Sequence, residues 1–312
     1  MKAAIITEFG RAPHYGSFPD PVPDAEHQVV RVLASAVHQV VRSRASGTHY
    51  SSGDVLPLVP GIDCIALTED GERVYTGGPP EPFGTLAELV PVPRGWATPV
   101  PDALDDATAA AALNPAASSW LSLAPLLAER PGATVLIHGA TGVSGLLAVQ
   151  VAQVLGAGRV VAAGRSASGL EEARNRGADA TVALDAPLAD QLTHAAPDGV
   201  DVIIDYLWGD RTRDLLVALL PGHRHPDRPL DLVEVGAVAG PSLPLDAAWL
   251  RSRPLRLRGS GLGSVGMAGM FRAIGDVLAA AASGRLTIDF VTRPLAEVED
   301  AWLGTERLVL IP

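Results

Sequence analysis

Three glycines recur at every third position, Gly139, Gly142 and Gly145, directly after the apolar run "TVLIH" and directly before "LLAVQVAQVLG". A backbone without side chains can turn sharply, approach a pyrophosphate closely and let a helix pack on a strand. The free N–H groups and the positive end of the following helix then face the phosphates. This assigns Gly139, Thr141, Gly142, Val143, Ser144 and Gly145 to a dinucleotide site. The next apolar run, "RVVAA", ends on Gly164-Arg165-Ser166 instead of an acidic residue. A carboxylate there would accept from a ribose 2′-hydroxyl and repel a 2′-phosphate, whereas a guanidinium fork and a hydroxyl favour the phosphate. The expected coenzyme is NADP(H).

Elements of matching kind surround these residues. From Ala133 onward near-continuous apolar strands alternate with helices, as in "ATVLIHG", "GLLAVQVAQVLG", "RVVAAG" and "SGLEEARNRG". That pattern predicts a parallel sheet covered on both faces and doubly wound by right-handed crossovers. Tyr206 ends the strand "DVIIDY" and Gly236-Ala237 end "LVEVGA"; carboxyl ends of parallel strands border the coenzyme crevice, so all three join the cofactor candidates. Up to about Arg94, short apolar runs broken by Pro and Gly predict a β-rich region. Helix is expected from about Pro101, interrupted at Asn114-Pro115, in a stretch that reads as a hinge.

Size and composition narrow the function. A chain of 312 residues is expected to form two domains. A formal charge of −11 without a basic run repels a phosphate backbone and excludes nucleic acid as a partner. Lys2 is the only lysine, which excludes a Tyr-x-x-x-Lys proton-transfer pair and with it a short-chain dehydrogenase. The single cysteine, Cys64, allows no intrachain disulfide and favours a cytoplasmic address. No apolar run reaches the length needed to cross a bilayer, and the N-terminus is too short and polar for a signal peptide, so no membrane partner is expected.

The segments "VRVLASAVHQVVRSRASGTHY", "LPLVPGIDCIAL", "FGTLAELVPVP", "ALNPAASSWLSL" and "VLIHGATGVSGLLAVQVAQVLGA" together resemble a medium-chain dehydrogenase/reductase of the zinc-independent, quinone oxidoreductase-like branch. The resemblance implies an α/β fold with a Rossmann doubly wound parallel sheet plus a β-rich GroES-like domain, and a cleft where the nicotinamide meets the substrate. On this reading residues 1–118 begin the GroES-like substrate domain and 119–250 form the Rossmann NADP-binding domain. Residues 251–312 then carry the last Rossmann strands and the return to the substrate domain. Zinc members of the family carry a Cys in the segment matching "SAVHQVV", a His-Glu pair in that matching "PGIDC", and a four-cysteine lobe. Here His38 and Ile62-Asp63 stand at those places and one cysteine cannot make a four-thiolate site, so no metal is expected.

Without zinc, hydrogen bonds must polarise the oxygen of the electrophile. The branch has a Tyr in the loop matching "SGTHY", which makes Tyr50 the first catalytic candidate, and an Asn where His38 stands. His38 is the second, as a donor or relay near neutral pH. By resemblance Ser118 takes the place of a Thr near the nicotinamide, with Asn114 one turn earlier on the same helix face, and Ser260 and Gly261 lie beside the nicotinamide pocket. The family also pairs sheet edges near Ser260, so a homodimer is expected. The expected activity is NADPH-dependent hydride transfer to a small carbonyl substrate, a quinone or an α,β-unsaturated compound. The alternatives are a silent NADPH-binding sensor or scaffold, and an alcohol/carbonyl oxidoreductase of the same family.

Overall fold

The fold is that of a computed structural model, which describes residues 1–49, 51–222, 227–261 and 263–312. Two compact units are present, one formed by Met1–Asn114 with Ala281–Pro312 and the other by Pro115–Ala280. The boundary thus falls at Asn114/Pro115 instead of after residue 118, and the chain returns to the first unit at Ala281.

In chain order the first unit contributes β1 (Lys2–Ile5), β2 (His14–Ser17), β3 (His27–Val37), α1 (Gln39–Ala45), β4 (Asp63–Leu67), β5 (Arg73–Gly77), β6 (Leu89–Pro93) and β7 (Ala97–Pro99). The long helix α2 (Asp106–Glu129) follows and contains the unit boundary. The second unit holds β8 (Thr134–His138), α3 (Val143–Val154), β9 (Arg159–Gly164), α4 (Ala167–Asn175), β10 (Ala180–Ala183), α5 (Leu188–Ala195), β11 (Val202–Asp205) and α6 (Gly209–Leu219). It continues through β12 (Leu230–Glu234), α7 (Ala247–Ser252) and β13 (Leu255–Gly259) into α8 (Met267–Ala282), within whose last turn the chain returns to the first unit. The chain closes with β14 (Val291–Pro294), a 3₁₀ turn (Leu295–Glu297), α9 (Val298–Ala301) and β15 (Leu308–Ile311).

In the second unit the strands run β10-β9-β8-β11-β12-β13, all parallel. This order steps outward from β8 in both directions, so the chain reverses its winding between β8 and β11, where ligands bind in doubly wound sheets. Strand β8 is buried along its whole length, as expected where helices cover both faces. Leu136, Val161 and Ile203 of the sheet pack on Leu192 of α5 and on Leu215, Leu216 and Leu219 of α6.

The first unit is built on a largely antiparallel sheet ordered β14-β15-β3-β4-β5-β7, with β6 also on β3. One core joins Ile5, Ile6, Val37, Val41, Leu86, Val298 and Leu308; a smaller one joins Val30, Val32, Cys64, Ala66, Val90 and Val92.

The interruption expected at Asn114-Pro115 does not occur, and α2 runs through both Pro115 and Pro125. A proline lacks the N–H that would bond the carbonyl four residues earlier, which leaves that carbonyl in need of another donor. For Ala111 the donor is the Arg307 guanidinium, whose Nη2 lies 2.6 Å from the carbonyl oxygen. No helix among the described residues is long and apolar enough to cross a membrane.

Candidate functional site

In the second unit β8 delivers the chain into the glycine turn. Gly139 sits at φ +93°, left-handed backbone that a side chain would strain, and the N–H groups of Gly139 and Ala140 both donate to the Ala163 carbonyl at 2.9 Å. Gly145 answers a different need. A Cβ on it would come within 3.0 Å of Ala140, so only glycine lets α3 pack this closely on the turn. Gly142 caps α3 without a side-chain bond, and the first turn carries no acidic residue. The N–H groups of Val143, Ser144 and Gly145 therefore start the helix without intrahelical partners. An N-terminus of this kind can receive an anion.

At the end of β9, Gly164 is buried while Arg165 and Ser166 are exposed. A Cβ on Gly164 would run into Cγ2 of Thr141, and one on Gly169 would lie 2.6 Å from its Cβ. Thr141 thus fills the space from which an acidic side chain at position 164 would have to start. Ser166 Oγ accepts from the Gly169 N–H at 3.1 Å and caps α4. The exposed Arg165 has no ion-pair partner among the described residues. The cradle, the open helix N-terminus and the absent carboxylate fit a phosphorylated dinucleotide.

The remaining cofactor candidates of this unit lie mostly beyond the same strand ends. Gly236 N–H reaches the Asp205 carbonyl at 3.2 Å, Ala237 follows it exposed, Ser260 N–H donates to the Glu234 carbonyl at 2.8 Å, and Gly261 N–H donates to Ser264 Oγ at 2.7 Å. Ser118, on α2, donates to the Pro115 carbonyl at 2.8 Å. The Tyr206 hydroxyl is buried with no hydrogen bond of normal geometry among the described residues, and burial pushes its pKa up to about 12 against the opposing effect of the nearby Ser118 and Ser119 hydroxyls.

A row of titratable groups crosses the same strand ends. His138 of β8 pairs in register with Asp205 of β11, which pairs with Glu234 of β12. His138 is fully buried, neither ring nitrogen has a hydrogen-bond partner at normal geometry among the described residues, and burial lowers its pKa against the opposing pull of Asp205 and the Arg211 backbone. Burial raises the Glu234 carboxyl, as does the Asp205 charge. Asp205 accepts from the N–H groups of Leu207 (2.9 Å) and Trp208 (3.1 Å) and from the Thr212 hydroxyl (2.6 Å).

In the first unit His38 directly follows β3 at the start of α1, buried at 2% exposure. One ring nitrogen, Nε2, lies 2.7 Å from Asp63 Oδ1, and the other, Nδ1, accepts from Arg307 Nη2 at 2.6 Å. Asp63 Oδ2 accepts from the Tyr75 hydroxyl (2.9 Å) and from Asn114 Nδ2 (3.1 Å). Burial would raise the Asp63 carboxyl, but His38, Tyr75 and Arg307 together hold it below the usual carboxylate value. Burial also lowers His38, drives Tyr75 well above the usual phenol value, and brings Arg307 down to about 10. Cys64 is buried, and burial together with the Asp63 charge raises its thiol.

His38, expected from sequence to donate to a substrate, therefore has both nitrogens engaged. Asn114, expected to line the coenzyme, bonds Asp63. Tyr50 lies outside the described residues. Arg307, Asp63 and Tyr75 were not sequence candidates for this cluster, and neither were His138 and Asp205 for the strand-end row; buried charge on otherwise apolar strands, as in "RLVLI" and "DVIID", is the signal that marks Arg307 and Asp205.

Comparison with known proteins agrees with this architecture. A family model described as "Zinc-binding dehydrogenase" matches residues 144–278. A probable NADPH-dependent quinone reductase of Emericella nidulans is 28% identical over the full length of both chains. The quinone oxidoreductase of Rattus norvegicus is 30% identical over 66% of each chain. The crystal structure of the quinone oxidoreductase from Thermus thermophilus, solved also in complex with NADPH, superposes with a TM-score of 0.82 at 27% identity over all of both chains. The chain is a quinone oxidoreductase-like medium-chain dehydrogenase/reductase. Within that family, the fold observed is the expected combination of a Rossmann sheet with a β-rich unit.

Proposed function

We propose that this quinone oxidoreductase-like protein is an NADPH-dependent reductase that transfers hydride to a quinone or an α,β-unsaturated carbonyl compound without a metal ion. The observation that carries the reading is the end of β9, where Thr141 occupies the place of an acidic side chain and Arg165 stands exposed beside Ser166. Relatives named as NADPH-dependent quinone reductase and quinone oxidoreductase support the same reading.

On this proposal the N–H groups of Val143, Ser144 and Gly145 hold the pyrophosphate, and Arg165 with Ser166 holds the 2′-phosphate. Ser118, Tyr206, Gly236, Ala237, Ser260 and Gly261 border the rest of the coenzyme. When bound, the coenzyme supplies a hydride, and a quinone taking that hydride and one proton becomes the hydroquinone. Tyr50 is the proposed donor to the developing oxyanion. A metal-free reaction is supported by the donor set: His38 and Asp63 are satisfied by each other and by Arg307, and the raised Cys64 thiol supplies no thiolate. We further propose a cytoplasmic homodimer that pairs the exposed edge strand β13 with its copy.

Titration with both coenzymes tests the reading. A charge-assisted contact to the 2′-phosphate is worth roughly 1.5–3 kcal/mol, so NADPH is expected to bind at least about tenfold tighter than NADH. Arg165→Ala narrows that gap, and equal dissociation constants for the two coenzymes in the parent protein defeat the proposal. Following reduced-nicotinamide absorbance with a panel of quinones and enones tests turnover. Tight binding without oxidation by any of them points instead to a sensor.

A further inference from the structure

We propose that Arg307 is a positioning residue: it locks His38 as the neutral Nε2–H tautomer and thereby fixes which atom of Asn114 is offered to a ligand. A guanidinium donates and never accepts, so the His38 Nδ1 that meets Arg307 Nη2 at 2.6 Å carries no proton. The ring proton then sits on Nε2, which donates to Asp63 Oδ1 at 2.7 Å. A second proton on the ring would turn an N–H toward the guanidinium, so the imidazolium form is opposed by geometry. The charged groups facing His38 are Asp63 from β4 and Arg307 from the segment leading into β15.

The lock propagates through Asp63. Its Oδ1 is taken by His38, and its Oδ2 accepts from Tyr75 and from Asn114 Nδ2. A flipped Asn114 amide would set its carbonyl oxygen against this carboxylate, so the amide nitrogen stays on the Asp63 side and Oδ1 faces away. Asn114 Oδ1 has no hydrogen bond among the described residues and is not buried. A ligand that meets it must bring an N–H or O–H donor.

Arg307 also holds the Ala111 carbonyl left free by Pro115, which makes the structural and positioning roles separable. In Arg307→Met both contacts are lost. Adding Pro115→Ala restores a backbone N–H for Ala111 without restoring any partner for His38 Nδ1.

The test uses the full-length protein labelled with ¹⁵N-histidine, without ligand, with His38 assigned by His38→Gln. Over about pH 5.5–8.5, the range in which an ordinary histidine titrates, His38 is expected to show an unprotonated Nδ1 and no titration. In Arg307→Met/Pro115→Ala the thermal stability is expected to recover, while His38 mixes tautomers and its titration shifts upward into that range, because the opposing Arg307 charge is gone and the Asp63 charge remains. The kcat/KM with NADPH and a quinone is expected to fall on the order of tenfold or more in that double variant, with partial recovery in Arg307→Lys. A protonated Nδ1 or a titrating His38 in the parent protein overturns the lock. An unlocked His38 with unchanged kcat/KM overturns the positioning role. The second of these rests on the reductase reading and the first does not, so a parent protein that turns over no substrate sinks that reading while the spectrum still decides the lock.

Discussion

Glycine at position 164 is explained by its neighbour. A Cβ there would run into Cγ2 of Thr141, so Gly164→Ala overpacks the turn and is expected to cost about 1–3 kcal/mol in urea unfolding. Thr141→Ser removes the methyl group at fault, and the double variant should recover most of that loss; additive losses from the two changes would show that the clash is not the cause. Residues of this kind were legible in the sequence, because Gly139, Gly142, Gly145 and the Gly164-Arg165-Ser166 stretch lie within one strand-turn-helix-strand segment. The polar cluster of the first unit was not. His38, Asp63 and Tyr75 come from three strands or strand ends, and Arg307 reaches Ala111 from 196 residues away, so no local pattern links them.

The turn from β11 into α6 shows how an element is held at a cost. Trp208 has φ +56°, left-handed backbone that an aromatic side chain enters only when its surroundings impose it. The imposing group is Asp205, whose carboxylate accepts from Leu207, Trp208 and Thr212 together. Asp205→Ala strands one buried and two part-buried donors and is expected to cost about 2–4 kcal/mol. Asp205→Asn keeps an oxygen for the two N–H groups and offers its amide to the Thr212 oxygen, so it should cost less than half as much. Equal costs for the two variants, read from urea midpoints, would assign the effect to charge and not to the cap. Sequence periodicity finds both elements, yet the left-handed tryptophan is invisible to it. The same blindness placed a break at Pro115, because the donor that rescues α2 belongs to the far end of the chain.

Across the whole molecule, buried groups held in one protonation state set the response to acid. Burial lowers His38 and His138, so in the folded chain both stay neutral while in the unfolded chain they take up protons below their ordinary value of about 6.5. The unfolded state binds more protons in that window, so stability is full above it and declines as pH falls, by roughly 1.4 kcal/mol per pH unit for each histidine. A second decline follows in the carboxylate range. Burial alone would raise Asp63 and Asp201, but His38 and Tyr75 on one, and the Arg228 hydrogen bonds with the Thr134 N–H on the other, hold both below the ordinary 3.8. Their contribution is present above that value and is lost as pH drops through the lowered one. Urea midpoints measured from pH 8 downward should therefore fall in two stages, the first beginning near the histidine range and losing about half its slope in His138→Gln. A midpoint that stays flat until the carboxylate range would mean that both histidines gain protons in the folded chain, and would remove the neutral His38 on which its bond to Arg307 depends.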